Sequence, residues 1–328
     1  MDRVSEDTVR RAPVPEGHHI QHPPTLVFCH ANGFPAGTYG VLFEAWRRSG
    51  WRVLAPEKFG HDPRYGVSNG WRALRDELLT FVERDQQESG SAGPVALVGH
   101  SMGGYLALLA ASRKPALASA VVLLDAPIVS GWRVPAFGLA KATGLIQRGG
   151  PGVASARRRE HWPTLAAVRE HFAGKAAFAR WDPRVFDDYL RHGFHAPEAA
   201  AFEGGDDVGG GGGERDAAAH GVRLAFARDT ETRIYTLPHH VPALLCRHRC
   251  AALSRSSPAR ARRRTASSAR IRPAAGRPAL AVDEGSHLFP MEKPEATAAA
   301  VLALLESTTS GPGAPDRALA APSQARSI

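Results

Sequence analysis

Ser101 is the side chain whose neighbours best prepare it to act as a nucleophile. It stands in the run Val95-Ala96-Leu97-Val98-Gly99-His100-Ser101-Met102-Gly103-Gly104-Tyr105-Leu106. Residues 95–98 are continuously apolar with a β-branched residue at each end, as a parallel strand covered on both faces requires. From Met102 the sequence turns rich in Leu and Ala, so a helix follows at once. Gly99 and Gly103 flank Ser101 two residues to either side, where a side chain would collide with the neighbouring strand and helix in so sharp a bend. The spacing predicts a strained strand-to-helix corner with Ser101 at a helix N-terminus, where free N–H groups and the helix dipole favour a developing negative charge. A phosphate-binding loop would need a following Lys-Ser or Lys-Thr, or a G-x-G-x-x-G spacing, and neither is present.

GHSMGG is the G-x-S-x-G nucleophile elbow, and with two further segments it makes the chain resemble the α/β-hydrolase family. One is the apolar run 25–29 followed by His30-Ala31-Asn32-Gly33-Phe34-Pro35, similar to the His-Gly loop that family members carry there. The other is Leu280-Ala281-Val282-Asp283-Glu284-Gly285-Ser286-His287, a short strand and a Gly turn, leading to a helix opened by Pro294 and running to about residue 306. The resemblance covers about residues 25–245 and 280–306. It implies a mostly parallel central sheet flanked by helices, with a helical cap insertion. It also implies that His287 serves Ser101 as general base and then protonates the leaving group. The oxyanion would be held by the N–H of Met102 and a second N–H from the first loop, Asn32 or Phe34.

The elements that must position these residues follow from periodicity. Residues 39–49 read as a helix with Phe43 and Trp46 on one face, residues 51–56 as a strand, and residues 71–88 as a helix with Leu74, Leu78, Leu79 and Val82 aligned. Between them, His61 and Asp62 either line the mouth of a pocket or structure their loop. The strand at residues 120–127 ends in Asp125, on the carboxyl edge of the sheet where ligands bind in α/β folds. From Gly131 to about Pro238 the strand pattern stops and helices with loops take over, which is where the family carries its cap. One helix there is marked by Asp182 as N-cap, Pro183 at its first position and Gly193 as its stop. Residues 204–213 are Gly-rich and of low complexity. The histidines at 161, 171, 192, 195, 220, 239 and 240 form no H-x-x-x-H pair with supporting carboxylates, so no metal site is expected. The core is expected in 25–130 and 241–306 and the cap in 131–240. Residues 1–24 and 307–328 are expected to be disordered.

One piece of the pattern is missing. The family order is Ser, then acid, then His, with the acid usually after the strand that precedes the His strand. That strand is expected near residues 241–245, yet no Asp or Glu occurs between Glu231 and Asp283. Residues 246–279 hold ten Arg and no Asp, Glu or Lys, with neither strand alternation nor a helical stripe. Three readings compete. The segment is a basic arm that contacts RNA or a membrane, or a metal site at Cys246 and Cys250 around His248, or a GC-rich coding region translated out of frame. The third is preferred, because a packed fold does not ordinarily leave a central strand position to such a composition. On the chain as written, Asp125 is the first candidate for the acid, since some family members place it after this earlier strand. Asp283, only four residues before His287, is the second.

With 328 residues the chain is long enough for one core and an insertion. Its net charge of +9 would point to nucleic acid, but without the ten Arg of 246–279 it falls to −1. No nucleic-acid partner is therefore expected. No run approaches 18 apolar residues and the N-terminal 24 lack an apolar signal core, so neither membrane insertion nor secretion is expected. Three cysteines are too few for a disulfide framework, which favours a reducing cytoplasm. No cofactor is implied, and the sequence sets no oligomeric state. The expected protein is a cytoplasmic serine hydrolase that cleaves an ester-like or thioester-like small molecule through an acyl-Ser101 intermediate. The alternative is a non-catalytic or inactivated hydrolase-fold protein that binds a small molecule or partner, its acid being absent from the usual place.

Overall fold

The computed structural model describes residues 23–91, 93–126, 139–140, 143–145, 151–195, 221–236, 250–255, 279–282 and 285–309. Strand β1 (Thr25–Cys29) leads through a loop to α1 (Gly40–Arg48) and β2 (Arg52–Leu54). Helix α2 (Arg72–Ser89) then returns to β3 (Val95–His100), α3 (Met102–Arg113) and β4 (Ala118–Leu124). The insertion expected to form a cap, called the cap below, follows as α4 (Pro151–Ala156), β5 (His161–Trp162), α5 (Leu165–Ala173), α6 (Pro183–His192), β6 (Phe194–His195), β7 (Val222–Leu224) and α7 (Arg228–Thr236). The chain closes with β8 (Cys250–Arg255), β9 (Ala279–Val282), α8 (Phe289–Glu292) and α9 (Pro294–Thr309). The main sheet has the order β2-β1-β3-β4-β8-β9, and every pairing described in it is parallel.

The central strands are predominantly apolar because both their faces are covered. Leu26, Phe28, Ala96, Val98, Ala120, Val122 and Leu124 pack in one cluster with Trp46 of α1 and Ala298, Val301 and Leu304 of α9. The alternate residues Val27, Cys29, Val95, Leu97, Val121 and Leu123 pack with Leu74, Leu78 and Val82 of α2 and Leu106 of α3. Trp46, fully buried, donates its indole N–H to the Ala298 carbonyl at 3.2 Å and so ties the first helix to the last. In the cap, the Asp182 carboxylate accepts the Arg184 N–H at the start of α6, which stops at Gly193 as its residue types predict.

Two expectations are corrected. The cap is not only helix and loop: β5, β7 and β6 form a three-stranded antiparallel sheet. Strands of two or three residues are too short to show a period of two in the sequence. The Arg-rich segment, read as lacking a strand, supplies β8, which pairs with β4 from Val121↔Cys250 to Leu124↔Leu253 and with β9 on its other edge. Strand pairing is made by main-chain groups, so side-chain alternation is not a condition for it. The strand expected at 241–245, the Gly-rich tract, Cys246 and His248, and most of the two terminal segments lie outside the described residues. Residues 307–309, expected in the tail, complete α9. Among the described residues no helix is long and apolar enough to cross a membrane.

Helix α2 carries a half-buried acid. The Glu77 carboxylate accepts the Gly60 N–H at 2.9 Å, and burial, helped by the nearby charge of Asp62, pushes its pKa up to about 7. The folded state therefore favours the protonated form, and ionisation of Glu77 weakens the fold as pH rises from about 4.5 through 7. Glu77→Gln, which keeps an acceptor for Gly60, should melt above the wild type at pH 8 and level with it at pH 4.5. Thermal midpoints across that range check this, and a difference independent of pH would contradict it.

Candidate active site

The site begins where β3 and β4 end. Their last paired residues are His100 and Leu124, and the next residue on each strand is Ser101 and Asp125. The Ser101 N–H donates to the Leu124 carbonyl at 2.9 Å, so the two strands stay joined one step past the ladder. Both residues take positive φ, +53° at Ser101 and +40° at Asp125, a conformation that costs a non-glycine residue roughly 1–3 kcal/mol and persists only when its surroundings impose it. The glycines show what imposes it at Ser101. A Cβ on Gly103 would lie 2.0 Å from the Cys29 carbonyl oxygen, and one on Gly99 would lie 2.3 Å from the Gly103 main chain. The first turn of α3 is thus pressed against the ends of β1 and β3, and Ser101 is left on the corner.

His287 reaches this corner from the turn between β9 and α8. Its Nε2 is 3.0 Å from Ser101 Oγ and its Nδ1 is 2.8 Å from Asp125 Oδ2. A carboxylate only accepts, so Nδ1 carries the proton and Nε2 is left to accept from the serine hydroxyl. Asp125 is mostly buried and His287 partly open. The turn is braced from α8: the Glu292 carboxylate accepts the Ser286 N–H at 2.9 Å and also the Ser286 hydroxyl, whose oxygen accepts the Leu288 N–H at 3.0 Å. Of the two acids considered from the sequence, Asp125 is the one brought to His287, and Asp283 lies outside the described residues.

The loop after β1 is fixed by His30. Its Nδ1 donates to the Ala31 carbonyl at 2.8 Å and its Nε2 accepts the Phe59 N–H at 2.9 Å, while burial lowers its pKa to about 4 and keeps the ring neutral. Phe34 donates its N–H to the Ala31 carbonyl at 3.3 Å. The main-chain N–H of Asn32 has no partner among the described residues, nor has that of Met102 at the start of α3. The pair of open donors is therefore Met102 and Asn32, and Phe34 is spent within its own turn. Asn32 is buried, and its Nδ2 donates to the Glu231 carbonyl at 3.0 Å. His61 and Asp62 organise their loop. The His61 ring joins the Phe59 carbonyl to the Ala227 N–H, and Asp62 accepts the Arg64 N–H.

The cap meets the loop through groups the sequence did not single out. Arg158 and Glu231 form a largely buried ion pair at 2.8 Å, and Arg158 also donates to the Tyr189 hydroxyl. A Cβ on Gly33 would lie 2.9 Å from Glu231 Oε1, so the pair rests directly on the loop. Tyr39 and His100 were also missed. Their partners are distant in sequence, and no local spacing signals them.

The chain belongs to the α/β-hydrolase family, whose model matches residues 26–300. A monoglyceride lipase homolog of Monkeypox virus is 35% identical over 136 residues, which are 39% of this chain and 48% of that protein. The monoglyceride lipase of Rattus norvegicus is 31% identical over 112 residues, 33% of this chain and 37% of that protein. The match thus spans less than half the length of these curated relatives. Among solved structures, a peroxisomal alpha-beta-hydrolase from Saccharomyces cerevisiae superposes with a TM-score of 0.57 at 13% identity, over 91% of this chain and 82% of that one. E-2-(Acetamidomethylene)succinate hydrolase superposes with a TM-score of 0.56 at 17% identity, over 87% of this chain and 91% of that one. At such identities the likeness shows the fold.

The elbow packing is directly testable. Gly103→Ala places a methyl group against main chain that cannot rotate away, so the cost should reach or exceed the upper end of the ~1–3 kcal/mol typical of overpacking. Denaturant unfolding of the variant beside the wild type measures it, and an unchanged midpoint would contradict the close approach of α3 to β1.

Proposed function

We propose that the chain is a serine hydrolase that cleaves a carboxylic ester of a small molecule through an acyl-Ser101 intermediate. The observation that carries this reading is the alignment of Ser101 Oγ, His287 and Asp125 at 3.0 and 2.8 Å. In the proposed cycle His287 Nε2 takes the serine proton as Oγ attacks the substrate carbonyl. The N–H groups of Met102 and Asn32 hold the oxyanion. Collapse of the tetrahedral intermediate expels the alcohol, which receives the proton from His287 and leaves the acyl group on Ser101. Water, deprotonated by His287, then attacks the acyl-enzyme, and the acid product leaves with Ser101 restored. Asp125 keeps the Nδ1–H tautomer and stabilises the imidazolium formed in each half.

An ester is preferred to a thioester because two of the relatives are named monoglyceride lipases. The buried unpaired Cys29 fits a reducing cytoplasm. The non-catalytic alternative rests on an acid absent from its usual place, and the 2.8 Å approach of Asp125 to His287 supports the catalytic reading over it. The test is covalent labelling with a fluorophosphonate probe. The wild type should label and Ser101→Ala should not, whereas a folded, monodisperse wild type that stays unlabelled would overturn the reading.

A further inference from the structure

The nucleophile strand ends in a histidine that the acyl-transfer cycle leaves unused. His100 is fully buried, one residue before Ser101. Its Nε2 lies 2.9 Å from the carbonyl oxygen of His287, its Nδ1 lies 2.8 Å from the Tyr39 hydroxyl, and that hydroxyl lies 3.2 Å from the Ala31 N–H. Donor accounting leaves one arrangement of protons. A carbonyl cannot donate, so His100 Nε2 carries the hydrogen. A neutral imidazole has a single N–H, so Nδ1 accepts, and Tyr39 must be its donor. The tyrosine oxygen is then free to accept the Ala31 N–H. The ring stays neutral because burial, reinforced by the charge His287 can carry, lowers its pKa to about 3. A neutral His100 can therefore donate to the His287 main chain without opposing the positive charge that the proposed cycle places on the His287 ring.

We propose that His100 is a positioning residue for His287, and that Tyr39 fixes the tautomer in which it can act. The proposal rests on the triad reading above. His287 sits in a turn outside the sheet, 187 residues from His100 in the chain. The hydrogen bond from His100 references the His287 backbone to the strand that also carries Ser101, so base and nucleophile share one origin. Glu292 braces the same turn through the Ser286 N–H. The same relay begins at Ala31, beside Asn32, and so the loop with the open Asn32 N–H is tied to the same strand end.

Misplacing a catalytic group by about 1 Å costs on the order of 100-fold in rate. Tyr39→Phe removes one oxygen and frees the His100 tautomer; His100→Leu removes the donor itself. Each should slow fluorophosphonate labelling of Ser101 by about 10- to 100-fold. His100→Gln, whose amide can donate to His287 and accept from Tyr39, should restore most of the rate. Because the effect is exerted through His287, it should vanish when the same substitutions are made in a His287→Ala protein. A role in fold stability alone would give the same fold loss in both backgrounds, and that result, or an unchanged rate in Tyr39→Phe, would overturn the inference. Tyr39→Phe keeps the test open should His100→Leu fail to fold. If the wild type does not label at all, the triad reading fails first and takes this inference with it.

Discussion

The site depends on one register, the parallel pairing of β3 with β4 that ends at His100 opposite Leu124. Because both faces of these strands are buried, a slip by one residue would exchange the two sets of side chains between the two cores. It would also move Ser101 along the sheet by about 3.3 Å relative to Asp125. The interleaved packing of Val95 and Leu97 on one face and Ala96 and Val98 on the other holds that register. The bond from Ser101 N–H to the Leu124 carbonyl carries it one residue further. Ser101 and Asp125 are therefore delivered side by side by adjacent strands, and only His287 has to be brought from elsewhere.

The cap is coupled to this arrangement by polar contacts as well as by its aromatic core. Trp162, Phe172, Trp181, Tyr189 and Phe194 are buried together and continue the cluster that covers one face of the sheet. Against the loop after β1, the cap presents Glu231, whose carbonyl accepts from Asn32 and whose carboxylate pairs with Arg158. Desolvating two charges offsets much of their attraction, so a buried pair of this kind is poor evidence for stability. Its geometric effect is clearer: it fixes the floor of the cap on the residues that present the open Asn32 N–H.

The sequence was most informative where a position tolerates a single residue type. Gly99 and Gly103 could be assigned because any side chain there would enter the main chain of a neighbour, and the structure shows those collisions at 2.3 and 2.0 Å. The ends of α6 were likewise legible, since Asp182, Pro183 and Gly193 are local signals. Partnership across the chain was not. Asp125 was only the first fallback, because its relation to His287 spans 162 residues and is set by the β3–β4 register. What distinguishes the Phe34 N–H from that of Asn32 is one turn hydrogen bond, from Phe34 to Ala31, that no residue type announces. The strand at Cys250–Arg255 escaped notice because an Arg-rich composition carries no pattern, while a ladder needs only main-chain groups.

The most direct measurement compares turnover of p-nitrophenyl butyrate by Asp125→Asn and Asp283→Asn beside the wild type. With Asp125 as the group that orients His287, Asp125→Asn should lose on the order of 10³- to 10⁴-fold in kcat, because an amide does not hold the required tautomer. Asp283→Asn should stay close to the wild type. The reverse pattern, with Asp283→Asn inactive and Asp125→Asn unimpaired, would contradict the account.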